Sequence, residues 1–147
     1  MNPLLEENRI QELESYNISK DYPKKQLQSV IKLAAKICKV PVSLIDIIDK
    51  TNQRTIVAHG DWEEKVIPRG QSICDIVVKK GDLLIANDIR KHPMLSDRLT
   101  EADKEKIRFY AGAPLKSSAG YTLGALCVID SRPRKLSEFQ KERVNGF

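Results

Sequence analysis

The stretch IRFYAGAPLKSSAGYTLGALCVID, residues 107–130, most constrains what this chain can fold into. Two runs, 107–117 and 122–130, carry aromatic and β-branched residues and flank the turn SAGY, the pattern of a β-hairpin. The first run has Ala111-Gly112-Ala113 at its centre. Strands disfavour these residue types, which have little or no side chain to pack. Glycine inside a strand marks a bulge, or a place where a ligand or another part of the chain comes close. A packed helix and a bound ligand would both use that room.

The rest of the chain reads around this hairpin. NPLLEENRIQELESYNI carries Leu4, Leu5, Ile10 and Leu13 among charges, an amphipathic helix with one sparse apolar stripe. In DYPKKQLQSVIKLAAKICKV, Leu27, Val30, Ile31, Ala34, Ile37 and Cys38 recur at steps of three and four, the strongest helical signal present. Pro23 suits its first turn and Pro41 ends it. Residues 42–49 and 54–60 then read as a second hairpin across KTNQ. The first of these strands is apolar on both parities apart from Ser43 and Asp46, so both of its faces are covered.

Residues 61–70 read as a loop containing Trp62. A short helix over 72–80 has Ser72 as N-cap and Asp75 three residues on. A short strand over 82–87, a loop over 88–99 and a polar helical turn over 100–106 follow, the turn with its own Thr100/Asp103 pair. Ser137 and Gln140 open a last helix in the same way. No strand–long-helix–strand alternation recurs. The fold class expected is α+β: a central antiparallel sheet of five or six strands, long helices from the chain ends on one face, and residues 61–106 over the other.

Composition narrows the setting. Of 147 residues, 41% are hydrophobic and 31% charged, ordinary for a globular domain, so 1–147 is expected to be one unit. No apolar run is long enough to cross a membrane, and the acidic, polar start is no secretory signal, so no membrane contact is expected. Asn17-Ile18-Ser19 is then a chance match to a glycosylation acceptor. Cys38, Cys74 and Cys127 are an odd number, widely spaced and without a CxxC. That spacing argues against a disulfide framework or a zinc site and for a reducing, cytoplasmic setting. The net charge of +5 is spread along the chain without interleaved aromatics, which speaks for solvated helix faces and against nucleic acid.

IRFYAGAPL, GYTLGALCVID and RPRKLSEFQ together resemble the C-terminal half of GAF domains from bacterial sensor histidine kinases and related signalling proteins. LAAKICKVPVSLIDIID resembles their second helix and first strand. SICDIVV and LLIANDIRKHP resemble their pocket helix and the strand after it. The resemblance covers roughly residues 9 to 147. It implies a GAF-like, PAS-related sheet with a helical bundle on one face and a small-molecule pocket on the other, roofed by the middle of the chain. It also implies a cytoplasmic module of a larger signal-transduction protein of the histidine kinase kind. That module would pair as a homodimer through its first and last helices and pass a signal to an output domain. Residues 1–18 would be the N-terminal helix, and 137–147 the truncated start of the output helix. The runner-up is a ligand-free dimerisation and relay module. A third reading is an enzyme resembling free methionine-(R)-sulfoxide reductase.

The pocket candidates are Asp46, Ile48, Cys74, Asp75, Val78, Asp88, Phe109, Ala111 and Ala113, with no catalytic residue and no metal expected. Asp46 shares the parity of Leu44 and Ile48, and a buried carboxylate there needs a donor from the protein or from a ligand. Many relatives carry a small residue at this position and aromatics where Thr55 and Ile56 stand. Cys74, near a helix N-terminus, is the cysteine to watch for redox sensing, or else a small core residue. Cys38 and Cys127 read as core. Trp62 either closes the pocket or packs on the surface, and Asp88 either forms a turn or meets a ligand. Asp130 stands ready to pair with Arg132 and Arg134 at the exit to the last helix. A reductase needs cooperating cysteines, and the roof supplies none beside Cys74. Bilin-binding relatives use a roof cysteine, commonly beside histidine, but His92 is followed by Pro93, so no covalent bilin is expected. NDIRKHPMLSDR lacks the Asn-Lys…Phe…Asp-Glu signature of cyclic-nucleotide binders. His59 and His92 are lone histidines without metal-ligand spacing. The small molecule stays unidentified.

Overall fold

A computed structural model describes residues 3–16 and 23–147. Helix α1 (Pro3–Ser15) and helix α2 (Lys24–Cys38) precede strands β1 (Val42–Ile48) and β2 (Asn52–His59). A third strand, β3 (Val66–Pro68), leads into a 3-10 turn at Arg69–Gln71 and helix α3 (Cys74–Lys80). Strand β4 (Leu84–Ala86), a turn at Ile89–Lys91 and short helices α4 (Pro93–Ser96) and α5 (Glu101–Lys106) complete the middle segment. The hairpin β5 (Phe109–Lys116) and β6 (Thr122–Asp130) then precedes helix α6 (Glu138–Gly146). Asn17-Ile18-Ser19 lies outside the described residues.

The six strands form one antiparallel sheet in the order β3-β2-β1-β6-β5-β4. Two hairpins thus meet at β1–β6, which puts the most buried strands at the centre. Strand β3 forms within the stretch 61–70 that reads as a loop from sequence. Three residues with exposed Val66 carry no alternation to detect.

Local chemistry explains the ends. Ser137 accepts from the Gln140 N–H and the Gln140 side chain returns to the Ser137 N–H, a complete capping box. Ser72 Oγ accepts from the Asp75 N–H at 3.0 Å, and Thr100 Oγ1 from the Asp103 N–H at 3.2 Å. In these two the acidic side chains turn elsewhere, so each box is half made. Asp130 does bind Arg134, at 2.8 Å, with Arg132 at 3.6 Å.

Two apolar clusters lie on opposite faces of the sheet. One contains Ile31, Ala34 and Cys38 of α2, Val144 of α6, and Ile45, Val57, Phe109, Ala111, Leu126 and Val128 of the sheet. The other joins Leu44, Ile48, Tyr110, Ala125, Cys127 and Ile129 to Ile73, Cys74, Val77, Ile89 and Leu95 of the middle segment. The middle of the chain therefore roofs one face, and the long helices cover the other. The alternation of β5 is decisive: Phe109, Ala111 and Ala113 point to the long helices, while Tyr110 and Gly112 share the roofed face. A Cβ on Gly112 would lie 2.5 Å from the Tyr110 hydroxyl oxygen. What comes close to the glycine is the phenol two residues back, folded along its own strand.

Candidate functional site

Between the sheet and its roof lies a buried polar cluster. Asp46 of β1, 3% exposed, is its centre. The pairing of β1 with β2 slips between Ile45 and Asp46: Ile45 faces Val57, but Asp46 faces Thr55, which leaves Ile56 as the extra residue. Such a bulge re-aims the side chains beyond it. Ile56 and Val57 both enter the long-helix cluster, and Thr55 turns to the roofed face. There the Thr55 hydroxyl donates to Asp46 Oδ1 at 2.7 Å. Gln53, on the same parity, accepts a short hydrogen bond from the Ser72 hydroxyl and ties the sheet to the roof.

Gly124 of β6 permits the other approach. A Cβ there would lie 2.0 Å from the backbone carbonyl oxygen of Asp46, so only glycine lets β1 pass this close.

Cys74, the first residue of α3, donates through its Sγ to Asp46 Oδ2 at 3.2 Å. Its sulfur lies 3.2 Å from Cys127 Sγ and 3.1 Å from the Tyr110 hydroxyl, which in turn is 3.0 Å from Cys127 Sγ. Four elements thus bring one carboxylate, two thiols and a phenol together, and Cys74, Tyr110 and Cys127 are all buried. Burial pushes the Asp46 carboxyl up to about 6, against the opposing pull of the Thr55 and Cys74 hydrogen bonds and the Lys65 charge. The contact with Cys127, followed by burial and the Asp46 charge, pushes the Cys74 thiol well above its ordinary value. Burial, then the neighbouring cysteines, raises Tyr110. The helix N-terminus therefore does not make Cys74 a thiolate, as its position alone suggests. Burial and the sulfur and carboxylate neighbours outweigh a two-turn helix.

Beside the cluster is a cavity that leaves about 30 Å³ for the centres of water-sized molecules. Asp46, Cys74, Tyr110, Gln53, Trp62 and Lys65 are among its lining residues. A water needs roughly 10–15 Å³ on this measure, so the space suits about two. Trp62 borders it beneath Lys65, whose Nζ sits 5.0 Å from the ring centroid and 3.2 Å from Asp103 Oδ1. Trp62 therefore stands at the cavity wall.

A second, charged cluster joins the roof to α1. Asp75 points away from the cavity: its Oδ1 accepts from Arg69 at 2.7 Å and its Oδ2 from Arg98 at 3.1 Å, with Lys79 at 3.2 Å. Arg69 also reaches Glu6 at 2.5 Å. Arg9, 3% exposed, donates to Glu6 and to the carbonyls of Ile48 at 2.8 Å and Thr122 at 3.2 Å. It pins α1 to the ends of the two central strands.

The expected pocket residues divide accordingly. Asp46 and Cys74 meet at the cavity. Ile48 and Val78 pack in the roofed apolar cluster without lining it. Asp75 belongs to the charged seam. Asp88 forms a turn, accepting from the Arg90 N–H and from Arg108 at 2.9 Å. Phe109, Ala111 and Ala113 lie on the opposite face and are corrected out of the cavity. Tyr110 and Gln53 line it instead, and Thr55 and Cys127 join the polar cluster behind it through Asp46, Cys74 and Tyr110. From sequence Cys127 reads as core and the roof offers Cys74 no second thiol; the partner comes from the sheet instead. Fifty-three positions separate the two in sequence, and only the crossing of α3 over β6 joins them. For Tyr110 the sequence held a signal, the two-residue period that puts it beside Gly112.

The sequence matches the GAF domain pattern over residues 23–146. It is 32% identical over 107 residues to a cyclic di-GMP phosphodiesterase of Pseudomonas aeruginosa, a match that covers 73% of this chain and only 18% of that protein. Among solved structures, the GAF domain of an Acinetobacter phosphoenolpyruvate-protein phosphotransferase superposes with a TM-score of 0.71 at 17% identity, covering 99% of this chain and 89% of that one. The type II free methionine-R-sulfoxide reductase of Thermoplasma acidophilum gives 0.69 at 12% identity, covering 97% and 88%. The domain of a two-component sensor histidine kinase protein from Sinorhizobium meliloti gives 0.61 at 11%, covering 86% and 85%. At these identities the structural likeness establishes the fold. Among the described residues no helix is long and apolar enough to cross a membrane.

Proposed function

This chain belongs to the GAF domain family, and from that premise we propose that it is a sensory module of a larger cytoplasmic signalling protein, a histidine kinase being the foremost candidate. The observation that carries the reading is the buried Asp46–Thr55–Cys74–Tyr110–Cys127 cluster under a roof that is itself tied to α1. A stable core has little use for a carboxylate and two thiols in contact at its centre. A change at the cluster displaces the start of α3. Asp75, one residue beyond Cys74, passes that displacement through Arg69 and Glu6 to α1. A species bound there biases the two arrangements only by its differential affinity for them.

The cavity of about 30 Å³ sets the scale of what enters. A nucleotide or a methionine derivative requires the roof to lift, whereas an ion, a water-sized molecule or a redox change at the thiols does not. The Cys74–Cys127 contact supplies the second thiol that a sulfoxide reductase needs. The confined space and the raised thiol still favour sensing over turnover.

Hydrogen exchange tests the proposal. Oxidation of the thiols with diamide, or binding of any stabilising metabolite found by thermal shift, is expected to change protection in residues 61–106 and in residues 3–15 together. A change confined to the roof, with α1 unaffected, overturns the coupling.

The nearly filled cavity also favours a second reading, a ligand-free dimerisation and relay module. Leu5 of α1 and Phe139 of α6 are exposed and available to a second copy. Sedimentation of the chain with and without residues 1–18 decides it, since an unchanged monomer in both removes it.

A further inference from the structure

We propose that Asp46, Cys74 and Cys127, with the Tyr110 hydroxyl as fourth donor, form a binding site for a thiophilic divalent cation of the zinc class. The two sulfurs and one carboxylate oxygen lie within 4.8 Å of one another and all three residues are buried. The phenol oxygen closes the group at 3.1 and 3.0 Å from the two sulfurs. Buried carboxylates are paired with cations or coordinate metals. The polar partners of Asp46 among the described residues are instead a hydroxyl and a thiol, with Lys65 acting only through its field. Asp75, 29 positions on and equally buried, shows what this chain does when it pairs a carboxylate with its own cations.

The donor set selects the ion. Two thiolates favour zinc or another soft ion, whereas a site for magnesium or calcium is built of oxygens. Two sulfurs and two oxygens also complete the four-coordinate shell that zinc prefers. Tetrahedral Zn–S bonds of about 2.3 Å place two sulfurs roughly 3.8 Å apart. The thiols at 3.2 Å must therefore part by about half an ångström, and Cys74, which lines the adjoining cavity, has room to make that move. Binding replaces two S–H bonds by two metal–sulfur bonds and releases two protons. Two thiolates and one carboxylate on a divalent ion leave one negative charge, and Lys65, a cation on the cavity wall shared with Asp103, lowers its cost. Thr55, bonded to the other oxygen of Asp46, fixes the carboxylate as an outer partner does in metal sites.

This deepens the sensory reading by naming a ligand class for the same site, and the two fail separately. Metal affinity stands if exchange finds no coupling to α1, and coupling stands if no metal binds. The test is titration of the purified chain with Co²⁺, then Zn²⁺, after chelator treatment and under a non-thiol reductant. One equivalent of Co²⁺ is expected to give thiolate-to-metal charge-transfer absorption with tetrahedral ligand-field bands, and Zn²⁺ should displace it. Cys74→Ser and Cys127→Ser should each abolish the two-thiolate spectrum. Cys38→Ser, on the far face of the sheet, should leave it intact. Asp46→Asn should keep the thiolate band and weaken affinity at least tenfold, and it serves if a serine variant fails to fold. The absence of saturable absorption at one equivalent overturns the proposal. So does a band that survives loss of both Cys74 and Cys127.

Discussion

Asp46 and Asp75 are both 3% exposed, and the protein treats them in opposite ways. Asp75 sits among Arg69, Arg98 and Lys79. Burial alone would raise its carboxyl, but those contacts hold it below the ordinary aspartate value. Asp46 has a hydroxyl, a thiol and a distant ammonium, and burial carries it up to about 6. A buried charge with its cations in place fastens elements together, here α3, the turn before it and α1. A buried charge without them is costly to the fold, and such groups concentrate where a protein binds or reacts.

The largest effect is expected from removing the cation that Asp75 shares with α1. Arg69→Met strips the two Asp75 bonds and the Glu6 bond but keeps most of the apolar stem. Breaking a buried pair from one side costs about 3 kcal/mol or more. Chemical denaturation at pH 7 should show a loss of that order. The pH dependence follows from the direction of the Asp75 shift. Its folded pKa lies below the unfolded 3.8, so its contribution is complete above that value and is lost as pH falls below it. In Arg69→Met that acid-side loss should shrink. An unchanged acid limb would mean that Arg98 and Lys79 alone hold Asp75 ionised.

Thr55→Val is expected to cost about 2 kcal/mol, since it takes a hydrogen bond from a charged, buried acceptor and puts a methyl in its place. The same change in an Asp46→Asn background should cost less than 1 kcal/mol, because the double-mutant cycle removes the charge that made the bond strong. Equal costs in the two backgrounds would show that Thr55 matters for packing at the bulge rather than for the carboxylate.

How much of this was legible in the sequence divides along the same line. The hairpins, the pairing Ser–Gln cap of α6, the roofing by residues 61–106 and the burial of Asp46 follow from periods and local chemistry. The face of β5 does not. A strand covered on both sides shows no polar residue to mark its parity, and a one-residue choice sends Ala111 to the wrong cluster. The bulge at Ile56 is equally silent. It is fixed by pairing across β1, yet it alone turns Thr55 and Gln53 toward the site. Arg9 was hidden for another reason: among the charges of α1 nothing distinguishes a buried arginine from solvated ones until the carbonyls of Ile48 and Thr122 come to meet it. Local structure was readable from local sequence, whereas the Cys74–Cys127 contact was made by two elements 53 positions apart.

The smallest expected effect sharpens the comparison most. Lys79 reaches Asp75 Oδ2 at 3.2 Å from the next turn of α3, at the same carboxylate that Arg98 contacts at 3.1 Å. Its side chain is 49% exposed, against 17% for Arg69. Water and salt screen such a pair, and ordering a long lysine offsets part of its attraction. Lys79→Met should therefore change stability by less than about 0.5 kcal/mol, and the difference should vanish in high salt. Arg69→Met should keep most of its cost there, because a bond already shielded from water has little screening left to gain. A Lys79 effect comparable to that of Arg69 would mean that proximity alone, not burial, governs this seam. The contrast between Asp46 and Asp75 would then reduce to the number of cations within reach.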